Sequence, residues 1–273
     1  MLKKILAVAI GLMFLVTAVV VLWRVGPEKE PETTLPTPPP VSPINPPVIP
    51  PVITALNFKN EKIRSLVASD MEIKYWQNGR RFRLSGRLYF EKKRHFRMVV
   101  DSIVGQELDL GSNDTHFWYW SKRDVEPGLH YAAHSDFHKT RLKTPFNPML
   151  MQASLGLEII DVSNAKITED DQRILVTNTH RSATGQTILY TTFISKKTQL
   201  IDGFVVTSQE GKKLVTCEIR AHNGDTPTEI LYIWYEENKT MQLKLGRTKL
   251  NEKISDSIWR MPNYGPKINI AED

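Results

Sequence analysis

Residues 81–90 read RFRLSGRLYF, and the character of the side chains alternates along this stretch. The even-numbered positions are apolar or small, whereas the odd-numbered positions are polar apart from the amphipathic Tyr89. A period of two is typical of a β-strand that buries one face and exposes the other. The stretch therefore predicts a strand in a sheet that has one apolar face.

Strand-like stretches of similar length follow one another through most of the chain. The further candidates are 71–77, 95–103, 105–111, 115–121, 129–134, 157–161, 163–168, 173–180, 187–195, 199–208, 213–222, 229–236 and 240–247. Turn pairs such as Asn78-Gly79 and Asn223-Gly224 separate many of them, and such pairs favour tight hairpins. Strand after strand at hairpin spacing predicts an antiparallel meander, so the fold class is mainly β (α+β).

Two helices are predicted beside the strands. The first covers about 57–68, where apolar residues recur at near-helical spacing, with Asn57 or Asn60 as its N-cap. The second lies in TPFNPMLMQASLGL, residues 144–157, with Asn147 as N-cap, Pro148 as the first helical residue and Gly156 at its end. It carries more apolar surface than one face of a short helix needs. We interpret it as a plug or lid, and an ordinary core helix is the alternative.

Two helices are too few to cover a sheet of ten or more strands. A single long antiparallel sheet must close, pack against a second sheet or curl around its helices. The small number of helices relative to strands favours a strongly curved antiparallel sheet, which is an incomplete β-barrel with a helical lid or plug in its opening.

The N-terminal part of the chain has a different composition from the body. Residues 5–23 are uncharged and apolar, long enough to approach the ~30 Å thickness of a bilayer core. Residues 1–24 therefore predict a transmembrane signal anchor, with a cleaved signal peptide as the alternative. Residues 25–53 hold eleven of the 17 prolines and predict an extended linker. Residues 54–273 form the predicted β domain, on the exported side of the membrane.

Composition excludes several classes of protein. The net charge of +6 over 273 residues is too small to argue for nucleic-acid binding. A hydrophobic fraction of 41% fits a globular body and excludes both a polytopic membrane protein and a disordered chain. The single cysteine, Cys217, excludes an intrachain disulfide framework and is interpreted as a core residue.

The search for chemistry finds no catalytic motif: no phosphate-binding loop, nucleophile elbow, zinc-protease or dinucleotide signature. His130, His134 and His138 are spaced by four, but on a strand such positions lie roughly 13 Å apart, too far for one ion. Glu107 and Asp109 share a strand face without a nucleophile near them in sequence. We therefore predict no enzyme activity, no cofactor and no metal, with a metal-dependent enzyme around the histidines as the least favoured alternative.

The aromatic residues carry the strongest functional signal. The stretch His116-Phe117-Trp118-Tyr119-Trp120 places large rings on both faces of one strand. Both faces are then covered, or one of them lines a cavity for an apolar ligand. Plain core packing is the simpler of these two interpretations.

The order of the predicted elements resembles the LolA/LolB-like superfamily of periplasmic lipoprotein carriers. An export signal precedes a helix, a β-meander, an interrupting helix, a second meander and a closing Asp256-Ser-Ile-Trp-Arg-Met-Pro262. The motif GQELDLGSNDTHFWYW, residues 105–120, is similar to one in outer-membrane lipoprotein-sorting-like proteins of planctomycete-type bacteria. The resemblance covers about 54–265.

The resemblance implies an incomplete barrel with a helical lid over a hydrophobic cavity that receives lipid or lipoprotein acyl chains. The chain departs from it in lacking a lipid-attachment cysteine and in having an anchor and a spacer, which favours a tethered receiver over a free shuttle. We expect the cavity to be lined by Phe82, Leu84, Phe90, Phe117, Trp118, Trp120, Met149, Met151 and Leu155. The alternative is a cell-envelope module with a filled core that binds a protein or glycan through an exposed patch.

Overall fold

The computed structural model describes residues 49–77, 79–92, 94–124, 126–140, 148–181 and 186–272. Two α-helices lie in this part of the chain, α1 (Pro51–Glu61) and α2 (Pro148–Ala153). Its strands are β1 (Ser65–Gln77), β2 (Arg80–Glu91), β3 (His95–Ser102), β4 (Gly105–Ser112), β5 (His116–Ser121), β6 (Leu129–Ala133), β7 (Lys166–Glu169), β8 (Arg173–Arg181), β9 (Thr187–Ser195), β10 (Ile201–Ser208), β11 (Lys213–Asn223), β12 (Thr226–Trp234), β13 (Lys239–Leu250) and β14 (Lys267–Asn269).

All of these strands belong to one open sheet. Its order is β14-β6-β5-β4-β3-β2-β1-β13-β12-β11-β10-β9-β8-β7. Two antiparallel meanders, β1 to β6 and β7 to β13, are joined where β1 pairs with β13. Only β14 pairs in parallel among the described strands, at the edge next to β6. The predicted antiparallel meander and mainly β class are confirmed.

The first helix begins earlier than the sequence pattern predicts. Pro51 occupies its first turn, and the helix ends at Glu61, so residues 51–53 belong to α1 and not to the linker. Proline is tolerated at this position because its missing amide would have no partner inside the helix. Residues 65–68, predicted as the end of the helix, form the start of β1 instead. The predicted strand over 157–161 is also wrong, because this segment is not part of the sheet.

The sheet buries one face around a large hydrophobic core. Across β1, β2 and β3 the register aligns Leu66 with Phe90 and Phe96, and Ala68 with Leu88 and Met98. These side chains join apolar residues of β10 to β13 in one cluster. Since strands from both meanders meet there, we call this face the concave face. Arg83, Ser85 and Arg87 point to the opposite, convex face.

Helix α2 and the residues that follow it lie in the concave core. Met151, Ala153, Leu155 and Leu157 are buried among the strand residues of the cluster. Gly156 ends the turn after the helix with a φ of +65°, the left-handed geometry that glycine adopts without strain. The helix spans Pro148–Ala153, so it ends three residues before the predicted stop at Gly156, which closes the following turn. The predicted N-cap Asn147 lies outside the described residues.

The convex face of β3 to β6 is covered by residues 251–272, which we call the C-terminal strap. Trp259 stacks on His95 with ring centroids 4.9 Å apart, and Tyr264 stacks on Trp120 at 4.3 Å. Arg97 donates from Nη1 to the Ile258 carbonyl at 2.9 Å. The strap ends in β14, which extends the sheet beside β6. It turns this part of the convex face into a second, filled interface.

The predicted membrane anchor over 5–23 lies outside the described residues, as does most of the predicted linker over 25–53. In the part of the chain that the structure describes, neither helix combines the length and the apolar content needed to cross a bilayer.

Candidate functional site

The concave face is fully buried over most of its area and partly exposed at one end. Its half-buried apolar side chains lie in α2 and in the strands β2, β5, β9, β11 and β13: Phe82, Leu84, Tyr119, Leu150, Ile188, Tyr190, Leu214 and Leu250. Leu250 lies at the far end of β13, and the other strand residues lie near the hairpins that follow β1, β5, β8 and β10. In an antiparallel meander these hairpins all fall at the same end of the sheet. We call this the open end.

The other end of the sheet is covered by α1. Ile53 and Leu56 of the helix pack against Ile174, Ile194 and other isoleucines near the opposite ends of β8 to β11. Ile53 is completely inaccessible to solvent and Leu56 is 2% exposed. On the concave face, α1 thus covers one end of β8 to β11, and accessible apolar side chains lie at the other end of the sheet, a region that we call the candidate cleft.

The structure places most of the predicted cavity residues on the concave face. Phe82 and Leu84 lie at the open end, where they keep part of their surface accessible. Phe90 lies deeper and is buried, and so are Met151 of α2 and Leu155 of the turn that follows it. Phe117 is also buried, with its ring 5.6 Å from that of Phe137. The side chain of Met149 lies outside the described part of the structure.

Trp118 and Trp120 require a correction, because they point away from the cleft. The pairing of β4 with β5 sets Trp118 opposite Gly111 and Trp120 opposite Asp109, on the convex face. A Cβ atom on Gly111 would lie 2.1 Å from the Trp118 ring, so glycine is what lets the indole lie across the strand. Trp120 stacks on Tyr264. Trp120 thus contacts the C-terminal strap, and Trp118 lies buried across Gly111 on the same face.

One carboxylate lies among the apolar walls of the cleft. Glu158 follows the plug, and its Oε1 accepts a hydrogen bond from the Tyr190 hydroxyl at 3.2 Å. Thr192 also hydrogen-bonds this side chain. Glu158 and Tyr190 are both half-buried.

The surroundings of Glu158 favour its neutral form. Burial raises the pKa of Glu158 to about 7, and the hydrogen bonds from Tyr190 and Thr192 only partly oppose the shift. Among the described residues, no Lys, Arg or His forms an ion pair with this carboxylate. Glu158 is thus a titratable group that lacks a charged partner in this part of the chain.

Helix α1 fixes the segment that carries Glu158. Asn57 donates to the Ile160 carbonyl at 3.0 Å and accepts from the Ile160 amide at 2.8 Å. Asn60 donates to the carbonyls of Gly156 and Glu158 at 3.2 and 2.9 Å. The two asparagines that were predicted to cap the helix instead attach it to the loop behind α2.

Structural partners are present for both members of the acidic pair and for two of the three histidines. Glu107 forms an ion pair with Arg123 at 2.8 Å, and Asp109 forms one with Arg97 at 2.7 Å, all on the convex face. His130 stacks on Tyr119 at 4.7 Å, whereas His134 contacts the Asn113 carbonyl at 2.8 Å. The His138 side chain lies outside the described part. Within the described ranges, no group of three or more His, Cys, Asp or Glu is arranged to hold a metal ion.

Comparisons with solved structures place this architecture among known folds. A DUF1329 family protein from Desulfovibrio piger matches with a TM-score of 0.51 and 11% identity, over 77% of this chain and 95% of that one. A putative outer membrane lipoprotein-sorting protein domain from Vibrio parahaemolyticus gives 0.49 and 11%, over 76% and 94%. A LolA superfamily protein from Nitrosomonas europaea gives 0.48 and 12%, over 77% and 97%.

The chain therefore shares its overall fold with the DUF1329 family protein from Desulfovibrio piger. No family model matches the sequence, and no curated protein matches it either. At such low identity the structural likeness shows a shared fold and leaves the activity to be argued from the site.

Sequence reasoning missed several residues of the cleft. Tyr119 could have been found, because it has the same strand parity as Phe117, which the apolar pattern had already selected. Ile188, Tyr190 and Leu214 lie on strands with no clean alternation. Glu158 gave no signal, since a single carboxylate after a short helix is ordinary in a sequence.

Proposed function

We propose that this protein binds lipid or the acyl chains of lipoproteins in the cleft of its LolA/LolB-like domain. The observation that carries the proposal is the distribution of exposure on the concave face. Accessible apolar side chains gather at the open end, around the half-buried Leu150 of the plug. An acyl chain laid among them would gain ~0.8 kcal/mol for each buried CH₂ group.

The tip of the hairpin between β3 and β4 supports exchange with a membrane. Ile103 is 86% exposed and Val104 is 59% exposed, and this hairpin lies at the open end. Lys122 from the neighbouring hairpin donates to the Val104 carbonyl at 3.2 Å, which sets a cation beside the apolar tip. Apolar side chains flanked by cations suit the interface of a bilayer with anionic lipids.

The remaining parts of the proposal concern location. Residues 5–23 would hold the protein in the inner membrane, and the proline-rich linker would let the domain work at a distance in the periplasm. The protein would act as a tethered carrier or receiver without enzymatic activity. A protein partner in the envelope, to which the ligand passes, belongs to the same proposal.

The test is photo-crosslinking of the full chain in membranes. A neutral long-chain alcohol that carries a diazirine and an alkyne is added, the sample is irradiated, and labelled peptides are mapped by mass spectrometry. We expect label on residues 148–165 and 187–195, which border the cleft. Leu84→Trp should reduce this labelling several-fold because the indole fills the open end.

Ser85→Trp is the matched control, since the neighbouring Ser85 is exposed on the convex face of the same strand. It adds the same ring outside the cleft and should leave the labelling unchanged. Equal labelling in both variants, or label confined to the convex face, would contradict the proposal. A fully unlabelled concave face would favour the alternative module with a filled core.

A further inference from the structure

Glu158 plays no part in holding hydrocarbon, yet it lies in the cleft proposed to do so. Its carboxylate meets the Tyr190 hydroxyl at 3.2 Å and the Thr192 side chain, both on β9. Cys217 of β11 is its other titratable neighbour. Beyond Tyr190 lies His180 of β8, with ring centroids 6.1 Å apart. Elsewhere on the concave face, the strand ends at the open end also carry Gln77 and Lys239, with Glu237 beside Lys239.

The two hydroxyl donors occupy only part of the hydrogen-bond acceptor capacity of the Glu158 carboxylate. An ionised carboxylate offers about four acceptor positions over its two oxygens. An apolar pocket that holds a charge without a cation is costly unless something completes the site. A ligand with a positively charged N–H group would supply both the donors and the missing charge.

We infer that Glu158 selects amphiphiles whose polar end is a cationic amine, and that it disfavours those with an anionic end. The inference rests on the proposed function, because the amine must enter the same cleft as the chain attached to it. Tyr190 and Thr192 position the carboxylate, and the Asn57 and Asn60 contacts from α1 fix its backbone. The ligands of this class share a primary ammonium group on a long alkyl chain.

The charge of Glu158 gives the selection a pH dependence with a definite sign. Since burial raises the pKa of Glu158 to about 7, the carboxylate is mostly ionised above that pH and mostly neutral below it. Burial also raises the pKa of Tyr190 and of Cys217, so both neighbours stay neutral over this range. Affinity for an ammonium should thus rise with pH.

The experiment uses the full chain in phosphatidylcholine vesicles and three photoactivatable probes of equal chain length: an alkylamine, an alkylsulfonate and the neutral alcohol. The amine and the sulfonate keep their charges between about pH 6 and pH 8. Labelling of the peptides that border the cleft is divided by that obtained with the alcohol. At pH 8 we expect the amine to exceed the sulfonate about tenfold, and the ratio to fall several-fold at pH 6.

Glu158→Gln keeps the shape of the side chain and should bring the amine-to-sulfonate ratio close to one at both pH values. His180→Asn, which removes the nearest imidazole, should keep the pH dependence. A ratio that Glu158→Gln leaves unchanged would overturn the inference while leaving the proposed function standing, provided that the alcohol still labels the cleft. If no probe labels the cleft, the proposed function fails and the inference fails with it.

Discussion

The two faces of the sheet treat buried carboxylates in opposite ways. On the convex face, Glu107 and Asp109 are almost completely inaccessible, and each is paired with an arginine. On the concave face, the partners of Glu158 among the described residues are the hydroxyl groups of Tyr190 and Thr192. A paired carboxylate stabilises a fixed interface, whereas an unpaired one leaves the site incomplete. The convex carboxylates are thus paired within the chain, whereas the half-buried Glu158 has no ion-pair partner among the described residues.

The pKa values of Glu107 and Glu158 are shifted in opposite directions, in keeping with this difference between the two faces. Although burial opposes ionisation, hydrogen bonds from Arg123 and Ser102 hold the pKa of Glu107 below its usual value. Burial raises the pKa of Glu158 to about 7. The Glu107 contribution to stability is therefore present at neutral pH and lost on acidification. The Glu158 contribution is present at low pH and is lost as the pH rises.

The largest effect is expected when the convex pairing is broken. Arg97→Ala leaves the inaccessible Asp109 without its charged partner, and we expect a loss of about 3–5 kcal/mol in the free energy of unfolding. Urea denaturation of the full chain measures this loss. Arg87→Ala is the control, because Arg87 faces the partly exposed Asp101 at 3.5 Å and should cost less than about 1 kcal/mol. Equal losses would show that the Arg97–Asp109 ion pair stabilises the fold no more than the exposed Arg87–Asp101 pair does.

A change of shape at the same interface should have the next largest effect. Gly111→Ala sets a methyl group where the Trp118 ring lies, and the expected cost is about 1–3 kcal/mol. The quenching of tryptophan fluorescence by acrylamide should increase as Trp118 is displaced. At Gly246 the nearest atom to a new Cβ would be 3.3 Å away, so Gly246→Ala should cost less. A Gly111→Ala protein of normal stability would show that the Trp118 ring can move aside without cost.

The concave face is probed by the pH dependence of stability. Between about pH 5 and pH 8 the wild type should lose about 1–2 kcal/mol relative to Glu158→Gln, since ionising Glu158 in its partly accessible site is unfavourable. The sign follows because the folded state binds the proton more tightly than the unfolded state does. Urea denaturation at several pH values measures the difference. Parallel curves for the two proteins would place Glu158 in contact with bulk water.

The smallest effect on stability is expected at the hairpin tip. Ile103→Ser combined with Val104→Ser should change the free energy of unfolding by no more than about 0.5 kcal/mol, because both side chains are exposed. Association of the domain with vesicles that contain phosphatidylglycerol should nevertheless weaken, as measured by flotation. Unchanged association would remove this tip from the membrane-exchange hypothesis and leave the cleft as the site of binding.

The strand pattern could be predicted because it depends on neighbouring residues alone. The alternation in 81–90 predicts β2, and Phe82 and Leu84 lie in the cleft as the apolar positions of that strand require. The helix over 57–68 was wrong because the apolar residues belong to two elements: Leu56 lies in α1 and Leu66 in β1. A local period cannot reveal that the chain turns between them.

The faces of β5 could not be assigned from sequence. Its aromatic residues cover both faces, and only the strap shows why. Trp120 is covered by Tyr264, which follows more than a hundred positions later, and nothing in the motif 105–120 reveals this partner. Glu158 was missed for the same reason, since its partners Tyr190 and Thr192 come from another strand.

The pairing of β1 with β13 has a consequence for how the chain folds. Next to this pair, the Arg64 amide donates to the Asn251 side chain across 187 positions of sequence. Contacts of such separation close late, and proteins rich in them fold in milliseconds to seconds. Each meander can form from local hairpins, but the edge of β1 stays unpaired until β13 has been synthesised. A nascent chain would therefore expose a long strand edge for most of its synthesis, which is the state that chaperones protect from aggregation.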